Sequence, residues 1–158
     1  MSRFDPQRAA ELIAAARQDA GLTQFELAKR SGITQSNLST MEGGRRRPSA
    51  AMLERILEAA DYRPSIAVAH ASGAIHAAAT RRGLSEPKLF GSIIRGEDHF
   101  DSDIDLFVSA PVGSGLFPVA AFAAEVEQLT GFPTQVVAEH SATATALGRS
   151  LLRSAVPL

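Results

Sequence analysis

The stretch "LFGSIIRGEDHFDSDIDLFV", Leu89 to Val108, constrains this chain more than any other. It sets a glycine-serine turn between two strand-like runs, "PKLF" and "IDLFV", and places Asp103 and Asp105 at the head of the second run. Side chains alternate along a strand, so the two carboxylates share one face while Ile104 and Leu106 take the other. Carboxylates this close repel unless a cation sits between them, and hard oxygen donors suit magnesium or manganese. Gly91 and Ser92, ahead of a short helix, present backbone N–H groups and a hydroxyl to a phosphate. Together these features suit a nucleoside triphosphate bound with a divalent ion.

The rest of the chain must supply a fold around this element. With 158 residues and 45% hydrophobic content it can bury a real core, as one domain or two small ones. It contains no cysteine, which excludes disulfides, thiolate zinc sites and cysteine nucleophiles together. The amino-terminal "MSRFDPQRAA" carries charges and a proline where a secretory signal needs an apolar run, and no membrane-length apolar stretch follows, so a cytoplasmic location is expected. The net charge of −1 divides unevenly: residues 1 to 64 hold 10 Lys+Arg against 8 Asp+Glu, and residues 65 to 158 hold 6 against 9. This suits a DNA-facing first half and an acidic, metal-requiring second half, and equally suits two solvated surfaces.

Apolar residues recur at helical spacing from Pro6 to Asp19, and Gly21 ends that helix. Thr23 followed by Glu26 forms a capping box for a second helix that Gly32 terminates. Thr34 caps a third, with Leu38 and Met41 inward and Gly43-Gly44 closing it, and a fourth starts near Ser49. Two short helices joined by a tight glycine-containing turn make a helix-turn-helix.

The pattern "LTQFELAKRSGITQSNLSTMEGGRRRPSAAMLERILEA" resembles the Xre/Cro-like DNA-binding domains, through Gln24, Leu27-Ala28, Gly32-Ile33, Leu38, Glu42, Gly44 and Pro48. The resemblance implies that the helix from Gln35 to Glu42 enters a major groove, with Gln35, Ser36 and Thr40 facing base edges and Asn37 on the flank. Gln24 and the backbone near Gly43 would hold phosphates. Arg45, Arg46 and Arg47 form the only three-residue basic run, read either as a phosphate contact or as a solvated loop. Such modules read double-stranded operator DNA as dimers, so a homodimer is implied.

The expected organisation is a domain of residues 1–64, a helical junction of residues 65–83 and a second domain of residues 84–158 whose first helix starts near residue 74. Pro64 stops the preceding helix, and Gly73 is a candidate break that would divide the junction into two helices. His70 and His76, with no ligand pattern around them, read as surface or packing residues.

Ten residues separate Ser92 from Asp103. This segment, with Phe90-Gly91-Ser92, Arg95-Gly96 and Ser102 to Leu106, resembles the minimal nucleotidyltransferase branch of the DNA polymerase β-type nucleotidyltransferase superfamily. The overall fold class is then α+β, an all-α helix-turn-helix bundle followed by a small α/β domain with a mixed sheet. The resemblance implies a magnesium or manganese ion with ATP, ligated by Asp103 and Asp105. Gly91 and Ser92 would hold the β/γ phosphates, and Arg95 would neutralise charge on the leaving pyrophosphate or else bond the neighbouring acidic loop. Asp101 reads as a loop cap and His99 as solvated.

One departure bears on activity. Active members carry a third aspartate on the strand after the long helix, and here that strand reads "PTQVVAEH", with Gln135 in the aspartate position. An amide offers a carbonyl oxygen but neither accepts a proton nor adds charge. Glu139, four residues on, is the one candidate substitute. The two resemblances together imply an antitoxin that represses its own operon and binds a partner toxin, HEPN-like or other, with weak or lost transferase activity. An active transferase moving AMP from ATP to a toxin hydroxyl, and a nucleotide-sensing transcription factor, are the alternatives.

Overall fold

The computed structural model describes residues 2–158. A 3-10 turn at Pro6–Arg8 leads into α1 (Ala9–Asp19), followed by α2 (Gln24–Ser31), α3 (Gln35–Glu42) and α4 (Ala50–Ala59). Each short helix starts where a hydroxyl serves its first turn. Thr23 accepts from Glu26 N–H while the Glu26 carboxylate accepts from Thr23 N–H, Thr34 accepts from Asn37 N–H, and Ser49 accepts from Met52 N–H. Their inward faces, with Ile13, Leu27, Leu38, Leu53, Ile56 and Leu57 fully buried, fill the centre of the bundle.

The junction departs from the expected break. α5 runs unbroken from Pro64 to Arg81, with Gly73 in helical conformation on its exposed side. A mid-helix glycine costs about 1 kcal/mol relative to alanine. Burial overrides this, because Ile66, Ala67, Ala71, Ile75, Ala78 and Ala79 form one buried stripe over the whole helix. The amino-terminal part of α5 packs on α1, and α5 also packs on α7 (Phe117–Thr130) and β1 (Ser85–Phe90). Both halves of the chain thus share one continuous core, from Phe4 to Ala138.

After β1 come α6 (Ser92–Arg95), β2 (Ile104–Ser109), α7, β3 (Thr134–Ala138), α8 (Glu139–Ala142), α9 (Ala146–Ser154) and β4 (Val156–Pro157). The sheet has the order β3-β2-β1-β4, with β2 and β3 parallel and the other pairs antiparallel. β2 is central and nearly all apolar, with Ile104, Leu106, Phe107 and Val108 buried. Leu106 and Val108 share the core beneath α5 and α7, while Phe107 stacks on Phe90 with ring centroids 4.1 Å apart and packs with Ala142 on the opposite face. No helix among the described residues is long and apolar enough to cross a membrane.

Candidate functional site

The sheet register assembles the candidate nucleotide site. Phe90 lies opposite Asp105 across β1 and β2, and Asp105 lies opposite Gln135 across β2 and β3. Paired residues share a face, so Phe90, Asp105 and Gln135 form one row, with Asp103 at the same parity just before β2. Gly91 follows Phe90 directly, with φ 77 and ψ −143, a conformation open essentially to glycine alone. A Cβ there would overlap the Asp105 carboxylate and stand 3.2 Å from its Cγ. Gly91 is required both by its backbone and by the acid beside it.

Among the described residues neither Asp103 nor Asp105 is held in a salt bridge, and the electrostatics follow from that. Burial pushes the Asp105 carboxyl above the usual carboxylate range, repulsion from Asp103 adds to this, and Arg95 partly offsets it. Arg95 itself bonds Glu97, Nε to Oε2 at 2.7 Å, so the loop-bonding reading describes its resting position while its charge still reaches Asp105. A divalent ion held by Asp103 and Asp105 fits this donor set. A third carboxylate is not at hand: no group of three or more His, Asp or Glu residues able to hold a metal occurs among the described residues.

Gln135 is exposed beside Asp105, as its strand position requires. Glu139 does not replace it. It lies past the end of β3, as the first residue of α8, and its carboxylate is held there by the Lys88 ammonium at 2.8 Å. That contact raises the Lys88 pKa.

In the loop between α6 and β2 the expected Asp101 cap is not formed. No side-chain bond is made by the Asp101 carboxylate among the described residues. The loop is closed instead by Ser102, whose Oγ accepts from His99 N–H at 3.0 Å and whose N–H donates to His99 O at 2.9 Å. His99 is exposed, and its Nδ1 accepts from Asp101 N–H at 3.2 Å. Of the other histidines, His70 is exposed at the α1–α5 groove and His76 is exposed with Nε2 3.1 Å from Leu158 O.

On the helix-turn-helix, Gln35 and Ser36 are exposed at the first turn of α3. Asn37 Oδ1 accepts from Arg46 Nη1 at 3.1 Å, which joins the basic loop to α3. The Thr40 hydroxyl turns back on its own helix and donates to Asn37 O at 2.8 Å, and Thr40 is half-buried. The backbone near Gly43 is also committed: the N–H groups of Gly43, Gly44, Arg45 and Arg46 all donate to carbonyls of α3. The side chains of Arg45, Arg46 and Arg47 in this region are exposed. Gln24 is half-buried as the first residue of α2.

Sequence reasoning missed what holds α3 in place. Arg17 of α1 grips the Glu42 carboxylate with Nε at 2.9 Å and Nη2 at 2.7 Å, and its Nη1 donates to Leu22 O at 2.9 Å. The Glu42 hydrogen bonds raise the Arg17 pKa. The partners lie 25 residues apart, beyond any helical period.

Comparison with known proteins places both modules. A helix-turn-helix domain family matches residues 8–64, and a nucleotidyltransferase domain family matches residues 81–156. A solved structure described as a minimal nucleotidyltransferase is similar at 32% identity and a TM-score of 0.53, over 60% of this chain and 95% of its own. No curated protein is significantly similar to the chain.

Proposed function

Because the chain belongs to the minimal nucleotidyltransferases and carries a helix-turn-helix domain ahead of that fold, we propose that it is an antitoxin-type autorepressor whose nucleotidyltransferase-like domain captures a partner toxin. The observation that carries the reading is the asymmetry between the two sites. The DNA-facing surface presents Gln35, Ser36 and the arginine loop to solvent, whereas the metal row has an amide, Gln135, beside Asp105. In phosphoryl transfer a metal-held carboxylate set supplies the charge that activates the attacking hydroxyl, and an amide weakens that set. DNA reading is therefore the retained activity, and transfer of AMP is weak or lost.

Exposed apolar side chains support a protein partner. Val112 and Leu116 on the loop before α7, and Phe117 as its first residue, stand 97%, 83% and 82% exposed, far more than a solitary surface apolar residue requires. They adjoin a groove of about 390 Å³ lined by Pro111, Val119, Val136 and Ala138. Asp103 and Asp105 would hold magnesium or manganese, Gly91 and Ser92 would lie against the triphosphate, and Arg95 would swing from Glu97 to the pyrophosphate end. A homodimer on operator DNA completes the reading.

The test is transfer of label from ATP, with magnesium or manganese, to the purified product of the neighbouring gene. Wild-type protein is expected to label it weakly or not at all, Gln135→Asp to gain activity, and Asp103→Asn in that background to remove the gain. Robust wild-type labelling that survives Gln135→Ala and disappears in Asp105→Asn would instead establish an active two-carboxylate transferase.

A further inference from the structure

We infer that Asp61, a residue of the helix-turn-helix domain, is a positioning residue for the candidate metal site, so that the DNA-binding module forms part of the nucleotide-binding machinery. The inference rests on the nucleotide-site reading above. Asp61, two residues past the end of α4, has φ 51, a left-handed conformation uncommon for a residue with a side chain. Its N–H donates to Glu58 O at 2.9 Å, and its carboxylate Oδ1 accepts from the backbone N–H of Phe100 at 3.0 Å. The unusual backbone thus coincides with a side chain reaching 39 residues along the chain into the loop that precedes Asp103.

The other backbone group of Phe100 is also held from the amino-terminal side. Arg3 Nη2 donates to Phe100 O at 2.5 Å, with its guanidinium 4.2 Å over the Phe100 ring, and Arg3 Nε donates to Gly131 O at 2.9 Å. Two residues earlier, Asp98 Oδ2 accepts from Ser65 N–H at 2.8 Å. This bond serves the first turn of α5, whose own N-cap residue, Arg63, makes no side-chain capping bond. The Phe100 ring lies in an aromatic cluster with Phe4 and Phe132, at centroid distances of 6.0 and 6.5 Å.

These contacts fix one end of a very short connection. From Phe100 the chain makes the Ser102-closed turn and reaches Asp103, after which Ile104 N–H donates to Pro133 O at 2.8 Å and β2 begins. Only Asp101 and Ser102 lie between Phe100 and Asp103, so the turn that Asp61 anchors at Phe100 sets the direction from which Asp103 enters the site. Asp105 is secured inside the sheet, but Asp103 lies outside the strand and is exposed. Its placement relative to Asp105 depends on the loop and hence on Asp61.

The test compares the full-length wild-type protein with Asp61→Gly and Asp61→Asn. Glycine adopts the left-handed backbone without strain but cannot accept from Phe100 N–H, whereas asparagine tolerates the same backbone and keeps an acceptor oxygen. Amide hydrogen exchange reports the loop, and calorimetric titration with manganese-ATP reports the site. Asp61→Gly is expected to speed exchange from Phe100 to Asp103 while leaving α3 and α7 unchanged, and to weaken manganese-ATP binding by about 10- to 100-fold. Asp61→Asn is expected to match the wild type in both. Unchanged exchange in Asp61→Gly overturns the inference, and so does faster exchange with wild-type manganese-ATP affinity. Wild-type protein that binds no manganese-ATP refutes the nucleotide-site reading and with it a metal-positioning role, while exchange separately decides whether Asp61 holds the turn.

Discussion

Gly91 lies against the Asp105 carboxylate so closely that the position has no room for a side chain. The turn and the acid are a single unit, so under the proposed function a phosphate at the Gly91-Ser92 backbone would lie beside a metal ion that Asp105 would hold. Gly91→Ala is expected to cost about 1–3 kcal/mol from the backbone conformation alone, with further loss from displacing Asp105. The check is a chemical denaturation curve alongside manganese-ATP titration. A variant of wild-type stability with wild-type nucleotide affinity would contradict the contact.

The raised pKa of Asp105 makes a prediction with a definite sign. The folded protein holds this proton more tightly than the unfolded chain, so the carboxyl lowers stability as pH rises from the ordinary carboxylate pKa through the raised folded value. Asp105→Asn removes the titration. Without divalent ions it should melt higher than the wild type at neutral pH, and the difference should vanish in acid below both pKa values. Magnesium with ATP should raise the Tm of the wild type at neutral pH and leave Asp105→Asn unmoved. A Tm difference independent of pH would point to packing instead.

DNA recognition should separate base reading from phosphate contact. Gln35→Ala is expected to lose roughly 1–3 kcal/mol on operator DNA and to relax sequence choice. Arg46→Ala should weaken operator and scrambled DNA alike and flatten the salt dependence by about one unit in the log-log slope. Anisotropy titrations across a salt series measure both. An unchanged footprint in Gln35→Ala would remove that residue from the reading surface.

The Arg17–Glu42 fork should be needed for DNA binding without touching DNA. Both side chains are mostly buried, at 20% and 10% exposure, so truncating one leaves the other charge poorly paired. Glu42→Ala should cost about 1.5–3 kcal/mol of stability, the range for hydrogen bonds to charged groups. It should also weaken operator binding below the melting temperature, because α3 loses its tie to α1. Wild-type operator affinity in this variant would show that helix packing alone orients α3.

The helix starts and the Asp103–Asp105 face were legible in the sequence because they depend on near neighbours. A capping box spans three residues, and strand parity spans two, so Thr23 with Glu26 and Asp103 with Asp105 announce themselves. Gln135 was legible only through the resemblance, which sets "PTQVVAEH" against the strand that carries a third aspartate in active members. Tertiary structure alone decided that α5 ignores Gly73, because a stripe buried against both modules outweighs one glycine's propensity. It also committed Glu139 to Lys88 and drew Asn37 to Arg46. The loop before Asp103 is tied across 33, 39 and 97 residues by Ser65, Asp61 and Arg3. Contacts of that span leave no periodicity in the chain, and they form only once the two modules close on a common core.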